Sequence, residues 1–117
     1  MFDCFETGSE LRGAVSSYLI DDSELSEIAR TYGWPIGTWC VDLVEDFSSL
    51  FSAERDDILS GFNEDITNWN TSRATTMDSM FRDAVEFDQD ISGWDMSRVE
   101  SMSYMFRGAS TFDQDLD

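Results

Sequence analysis

Apolar residues in the second half of the chain return every 25 positions. Phe62, Phe87 and Phe112 share one register, and Ile66, Ile91 and Leu116 share another. Trp69 returns as Trp94, Met77 as Met102, Met80 as Met105, Phe81 as Phe106 and Ala84 as Ala109. Polar positions keep the same period: Asp65, Asp90 and Asp115, then Ser72 and Ser97, Arg73 and Arg98, Arg82 and Arg107. A fixed period of this length marks one supersecondary unit per repeat, which buries its apolar side only against its neighbours. A fainter copy lies upstream. "IGTWCVDLVEDFSSLF" (36–51) aligns with "ITNWNTSRATTMDSMF" (66–81) at an offset of 30, with Trp39 on Trp69 and Phe51 on Phe81. The five extra residues fall within "SAERDDILSG" and predict a longer acidic loop on one rim.

Within a unit, "FDQDISGW" suits a short strand and a turn. Met102, Met105 and Phe106 follow at i, i+3 and i+4, the spacing of one helical face. The expected fold is therefore an α/β repeat. It is a leucine-rich-repeat-like solenoid with short helical turns and a narrow parallel sheet, neighbouring strands about 4.8 Å apart. The segment before residue 36 has a different period. "SELRGAVSSYLI" places Leu11, Ala14, Val15, Tyr18 and Leu19 on one helical face, with Thr7 and Glu10 as a capping box. "SELSEIARTYG" does the same with Leu25, Ile28, Ala29 and Tyr32, with Ser23 as N-cap and Gly33 and Pro35 as the stop. The organisation predicted is a two-helix N-terminal cap, 1–35, then repeats over 36–117: a degenerate copy at 36–61, full copies at 62–86 and 87–111, and a partial copy at 112–117. The sequence stops at "FDQDLD", inside an expected strand. Either the array continues or that edge strand pairs with something, including a second copy of the chain.

Composition narrows the function classes. The chain has 117 residues, 41% of them apolar and 14% aromatic, with a formal net charge of −18. It is too apolar and too aromatic for a disordered acidic tail. The charge is spread evenly: 13 acids and 3 arginines precede residue 62, and 12 acids and 4 arginines follow. Such a field repels phosphates, which argues against nucleic acid and anionic membrane surfaces and favours cations, basic partners or a saline habitat. No stretch is long enough to span a membrane, so no membrane insertion is expected. The first residues show no signal peptide. There is no histidine and no lysine. Serine and cysteine triads, the usual zinc sets and lysine Schiff bases are therefore absent. What remains for chemistry is a carboxylate pair of the glycoside-hydrolase kind, or oxygen ligation of a hard cation. Cys4 and Cys40 are open to two readings, a bridge between the N-terminal region and the first repeat or two buried thiols.

The phrase "FDQDISGWDMSRVESMSYMFRGA" (87–109) resembles a tandem surface-protein repeat of Mycoplasma and Listeria lipoproteins, allied to the BspA-like leucine-rich repeats. That repeat has the form F-N-x-D-I-S-x-W-D-V-S-x-V-T-x-M-x-x-M-F-x-x-A. Residues 62–84 carry a good part of it and 36–51 a fainter version, with Asn70 in place of the Asp and Ala74 in place of the Val. The resemblance implies a non-enzymatic module on the cell surface or secreted, displayed for protein or glycan interaction. It brings no catalytic residues.

The repeated carboxylates are the candidate site. Asp88, Asp90, Ser92 and Gly93 match the opening of an EF-hand loop, but Val99 stands where the bidentate Glu is required. A ladder is the alternative. Stacked at equivalent positions, Asp65, Asp90 and Asp115 repel one another, and one or more of their pKa values is expected to rise. Hydrogen bonds from their own turns, arginines such as Arg73 or Arg98, or a bound cation such as calcium would balance them. Asp65, Asp88, Asp90 and Asp115 are thus the metal candidates, with no other cofactor implied. Trp69, Trp94 and Met77, Met80, Met102 and Met105 are expected in the core.

Overall fold

A computed structural model describes residues 2–21 and 23–113. The first helix, α1 (Gly8–Ile20), buries Leu11, Ala14, Val15 and Tyr18, the stripe that the 3.6-residue period predicts. Thr7 caps it: the Glu10 amide donates to Thr7 Oγ1 at 3.1 Å. The reciprocal arm of the capping box is shifted by one residue, with the Glu6 amide donating to Glu10 Oε1 at 3.0 Å. The second helix, α2 (Glu27–Tyr32), starts later than expected. Ser26, not Ser23, is its N-cap, accepting from the Ala29 amide at 3.1 Å. Leu25 therefore lies in the turn before the helix and is 72% exposed rather than part of the apolar face. Gly33, at φ 107°, ends the helix in a conformation that disfavours a side chain.

The two cysteines form a disulfide, Cys4–Cys40. It fastens the N-terminal segment beside the first repeat, where the Phe5 amide also donates to the Cys40 carbonyl at 3.0 Å. The five-residue insertion has a second role besides being a rim loop. Arg55 turns inward from it, donating through Nε to the Ser49 carbonyl at 3.1 Å and through Nη2 to the Leu50 carbonyl at 2.7 Å. Its Nη1 reaches Ser16 Oγ on α1 at 3.0 Å. One guanidinium so ties α1 to the first repeat, and burial lowers its pKa.

The expected strands do not form. Among the described residues there is no strand and no sheet, so the parallel-sheet, leucine-rich-repeat-like solenoid is not the fold observed. Three isolated parallel bridges remain: Cys4 with Cys40, Asp46 with Thr76, and Thr76 with Ser101. Each repeat is instead a run of three-residue turns that recurs in register. The Trp69 amide donates to the Ile66 carbonyl and the Trp94 amide to that of Ile91. Ala74 donates to Thr71 and Val99 to Met96, Met80 to Met77 and Met105 to Met102.

Two physical causes exclude strands. Ser49 (φ 57°), Ser79 (57°) and Tyr104 (59°) sit at one repeat position in the left-handed region, and Asp83 (60°) and Gly108 (78°) at another. A residue at positive φ cannot continue an extended strand. In the "FDQD" segments, where the strand was expected, side chains take the backbone donors. The Asp88 amide donates to Asn63 Oδ1 at 2.8 Å and the Asp113 amide to Asp88 Oδ1 at 3.1 Å. Side-chain acceptors of this kind compete with backbone ladders.

Adjacent repeats still meet closely. The amides of Phe47, Ser49, Phe51 and Ala53 donate to the carbonyls of Thr76, Asp78, Met80 and Arg82. Those of Met77, Ser79, Phe81 and Asp83 donate in the same register to Ser101, Ser103, Met105 and Arg107. Between them runs a double column of phenylalanines. Phe51, Phe81 and Phe106 follow at 5.5 Å intervals, each beside a partner from the second column, Phe62, Phe87 or Phe112, at 4.1–4.3 Å. Trp69 and Trp94 are buried, as are Met77, Met80 and Met105. Met102, expected in the core, is 49% exposed. It occupies the position of Met77 on the outer side of the third repeat, where none of the described residues covers it.

Candidate functional site

Each recurring carboxylate is held by its own turn. Asp65 Oδ1 accepts from the Thr67 hydroxyl at 2.7 Å and the Thr67 amide at 3.0 Å. Asp90 Oδ1 accepts from the Ser92 amide at 3.0 Å. These bonds favour the ionised form, and the hydroxyls of Thr67 and Ser92 are the main cause of lowered pKa values at Asp65 and Asp90. The expected rise from mutual repulsion is therefore corrected in sign at both. Both side chains are solvent-exposed, and water screens whatever repulsion exists between them. Asp115 lies outside the described residues.

The side chains that link one repeat to the next stand two positions earlier. Asn63 accepts from the Asp88 amide, and Asp88 accepts from the Asp113 amide. Gln89 Nε2 adds bonds to the Asn63 carbonyl at 2.9 Å and to Asn63 Oδ1 at 3.0 Å. Asp88 and Asp90, adjacent in the EF-hand reading, thus serve different turns. Among the described residues, no three His, Cys, Asp or Glu side chains converge as a metal site. Arg73 and Arg98 do not pair with Asp65 or Asp90. The ion pairs among the described residues are Arg12 with Asp46 at 3.7 Å and Arg82 with Glu54 at 3.3 Å. Arg98 acts instead on Asp95, whose pKa is lowered chiefly by the Ser97 hydroxyl and amide.

A further carboxylate escaped the sequence reading. Asp78 accepts from the Ser101 hydroxyl at 2.5 Å and the Ser103 amide at 2.8 Å, both in the following repeat. Its pKa is lowered, first by Ser101 and then by Ser103. The available signal was the column Ser48, Asp78, Ser103, small and polar in every copy. Tyr104 was also missed. It is exposed, with the guanidinium carbons of Arg82 and Arg107 each 5.4 Å from its ring centroid. The tryptophans, by contrast, are internal ties. Trp69 Nε1 donates to the Ile36 carbonyl at 2.9 Å and Trp94 Nε1 to the Ile66 carbonyl at 3.1 Å, each reaching back one repeat.

Asp, Ile, Trp, Met and Phe at fixed offsets, each with a defined place in a turn unit, extend over most of the chain. The family described as Mycoplasma protein of unknown function, DUF285, matches residues 4–117. The chain belongs to DUF285. The match begins at Cys4 and spans the disulfide, both helices and the repeats. No curated protein and no solved structure matches the chain. None of the helices among the described residues is long and apolar enough to cross a membrane.

Proposed function

We propose that this DUF285 chain is a non-enzymatic module that binds a protein or a glycan, displayed on a cell surface or secreted. One observation carries the reading: Asp65, Asp90 and Asp95 are held ionised by their own turns and Asp78 by the repeat that follows. A carboxylate-pair hydrolase needs one carboxyl kept protonated beside an ionised one. Asp65, Asp78, Asp90 and Asp95 are all shifted the other way. Anions fixed in this way on a scaffold of turns suit steering and holding a partner of opposite charge. The likeness of residues 87–109 to BspA-like surface repeats supports display outside the cell. Binding of the purified chain to immobilised basic peptides and glycans, at low and high salt, tests this. Saturable binding to at least one of them, weakened by salt and without product release, is the expected result. Turnover of a glycan that is abolished in both Asp65→Asn and Asp90→Asn would replace the reading with an enzymatic one.

A further inference from the structure

The turn after Trp69 holds a polar group that the fold does not use. Trp69 and Thr71 are buried, and Asn70 between them is exposed. Asn70 Oδ1 accepts from the Ser72 amide at 3.0 Å, a turn that asparagine and aspartate both form. One repeat later Asp95 closes the same turn, accepting from the Ser97 amide at 2.9 Å. The turn therefore needs only a side-chain oxygen at this position. The carboxamide of Asn70 supplies that oxygen and adds an NH2 group. Among the described residues this nitrogen finds no acceptor, and the Ser72 hydroxyl no partner. The Thr71 hydroxyl, by contrast, ties the turn to the next repeat, donating to the Asp95 carbonyl at 3.1 Å. Repeats stand on both sides, with Cys40 and Asp95 at the equivalent positions. The exposure of Asn70 thus does not depend on any chain beyond the described residues. Of the three asparagines, Asn70 alone has a hydroxyl residue two positions on: Asn70-Thr71-Ser72, with no proline between. That triplet is the acceptor pattern for N-linked glycosylation. The Cys4–Cys40 disulfide points independently to an oxidising compartment, the kind in which that transfer takes place.

We propose that Asn70 carries an N-linked glycan. The donor is a lipid-pyrophosphate-linked oligosaccharide, transferred by a membrane oligosaccharyltransferase. A bond forms between Asn70 Nδ2 and the anomeric carbon of the first sugar. The bond from that carbon to the pyrophosphate oxygen breaks, and the lipid pyrophosphate leaves with the electron pair. One amide proton passes to a base of the transferase, and nothing is oxidised or reduced. The product keeps Oδ1 as a carbonyl oxygen, so the bond from the Ser72 amide survives and the glycan projects into solvent. This inference rests on the surface-displayed or secreted half of the functional reading, and not on what the chain binds.

The test is made on the chain isolated from its native source. It is treated with peptide:N-glycosidase in heavy-oxygen water, digested, and mapped by mass spectrometry. The peptide holding Asn70 is expected to gain a heavy-oxygen carboxyl at that residue, and only after the glycosidase. A native chain with the Asn70 carboxamide unmodified and the Cys4–Cys40 disulfide formed would overturn the proposal while leaving display or secretion in place. Secreted expression in eukaryotic cells gives a second reading. A heavier species that the glycosidase collapses is expected from the parent and from neither Asn70→Asp nor Ser72→Ala. Asn70→Asp keeps the turn oxygen, as Asp95 does, so its cooperative melt separates a lost acceptor from a lost fold. Retention of the heavier species in Ser72→Ala, or a secreted, disulfide-bonded parent without glycan, would also overturn the proposal. Failure of the chain to bind basic peptides or glycans changes none of these results.

Discussion

At the residue scale, the tryptophans and the aspartates divide the work differently from what their chemistry suggests. Trp69 is an indole donor to a buried carbonyl as well as apolar filling. Trp69→Phe retains most of the apolar area but removes the indole donor from the Ile36 carbonyl, which keeps only its bond from the Trp39 amide. The expected loss is about 0.5–1.5 kcal/mol of unfolding free energy in urea denaturation, and a variant as stable as the parent would remove the indole from this role. Asp65, Asp90 and Asp95 act on local turns, whereas Asp78 and Asp88 reach the following repeat. That they recur was plain from the 25-residue period, and so was the burial of Phe62, Ile66 and Trp69. Which carboxylate bridges repeats was not legible, because Asp88 and Asp90 are equally acidic and two residues apart. Only the backbone path decides that the Asp88 side chain meets the next repeat and the Asp90 side chain its own turn.

At the scale of elements, helices were legible and strands were misread. Thr7, Glu10 and the Leu11–Tyr18 stripe belong to one local segment, and local rules suffice for it. The left-handed positions were hidden because Ser49, Ser79 and Tyr104 carry no glycine to mark them. Gly108, aligned with Asp83, was the one visible hint. The cysteines could not be paired from spacing, and the structure joins them. The bridge closes a sequence separation of 36, for which loop-closure entropy gives a contribution of about 4 kcal/mol. Reduction, or the Cys4→Ala/Cys40→Ala variant, is therefore expected to lower the unfolding free energy by that order and the midpoint with it. An unchanged midpoint would mean that Arg55 and the α1 contacts alone hold the helices in place. Glycines provide a paired test of repeat packing. A Cβ at Gly37 runs into the Asp65 carbonyl of the next repeat, whereas one at Gly93 meets nothing within 4 Å. Gly37→Ala is expected to cost about 1–3 kcal/mol, while Gly93→Ala is neutral or slightly stabilising, as gauged by thermal melts of both variants.

At the scale of the whole molecule, the acidic surface and the scaffold are coupled through pH. Asp65, Asp78, Asp90 and Asp95 have depressed folded-state pKa values. The stability they contribute is present above the unfolded value of about 3.9 and is lost as pH falls through the folded values. Acid also reduces the net charge of −18 and relieves self-repulsion. The two effects oppose each other in a melting curve, so the bulk acid transition does not isolate either. A site-resolved measurement does. Carboxyl NMR titration of the intact chain, with and without saturating calcium, follows each aspartate separately. If the repeated carboxylates are turn acceptors, Asp65 and Asp90 titrate below the usual aspartate value, and calcium moves them no more than an equal ionic strength of sodium chloride. A midpoint above that value at either residue, or a calcium-specific displacement of both, would contradict the account.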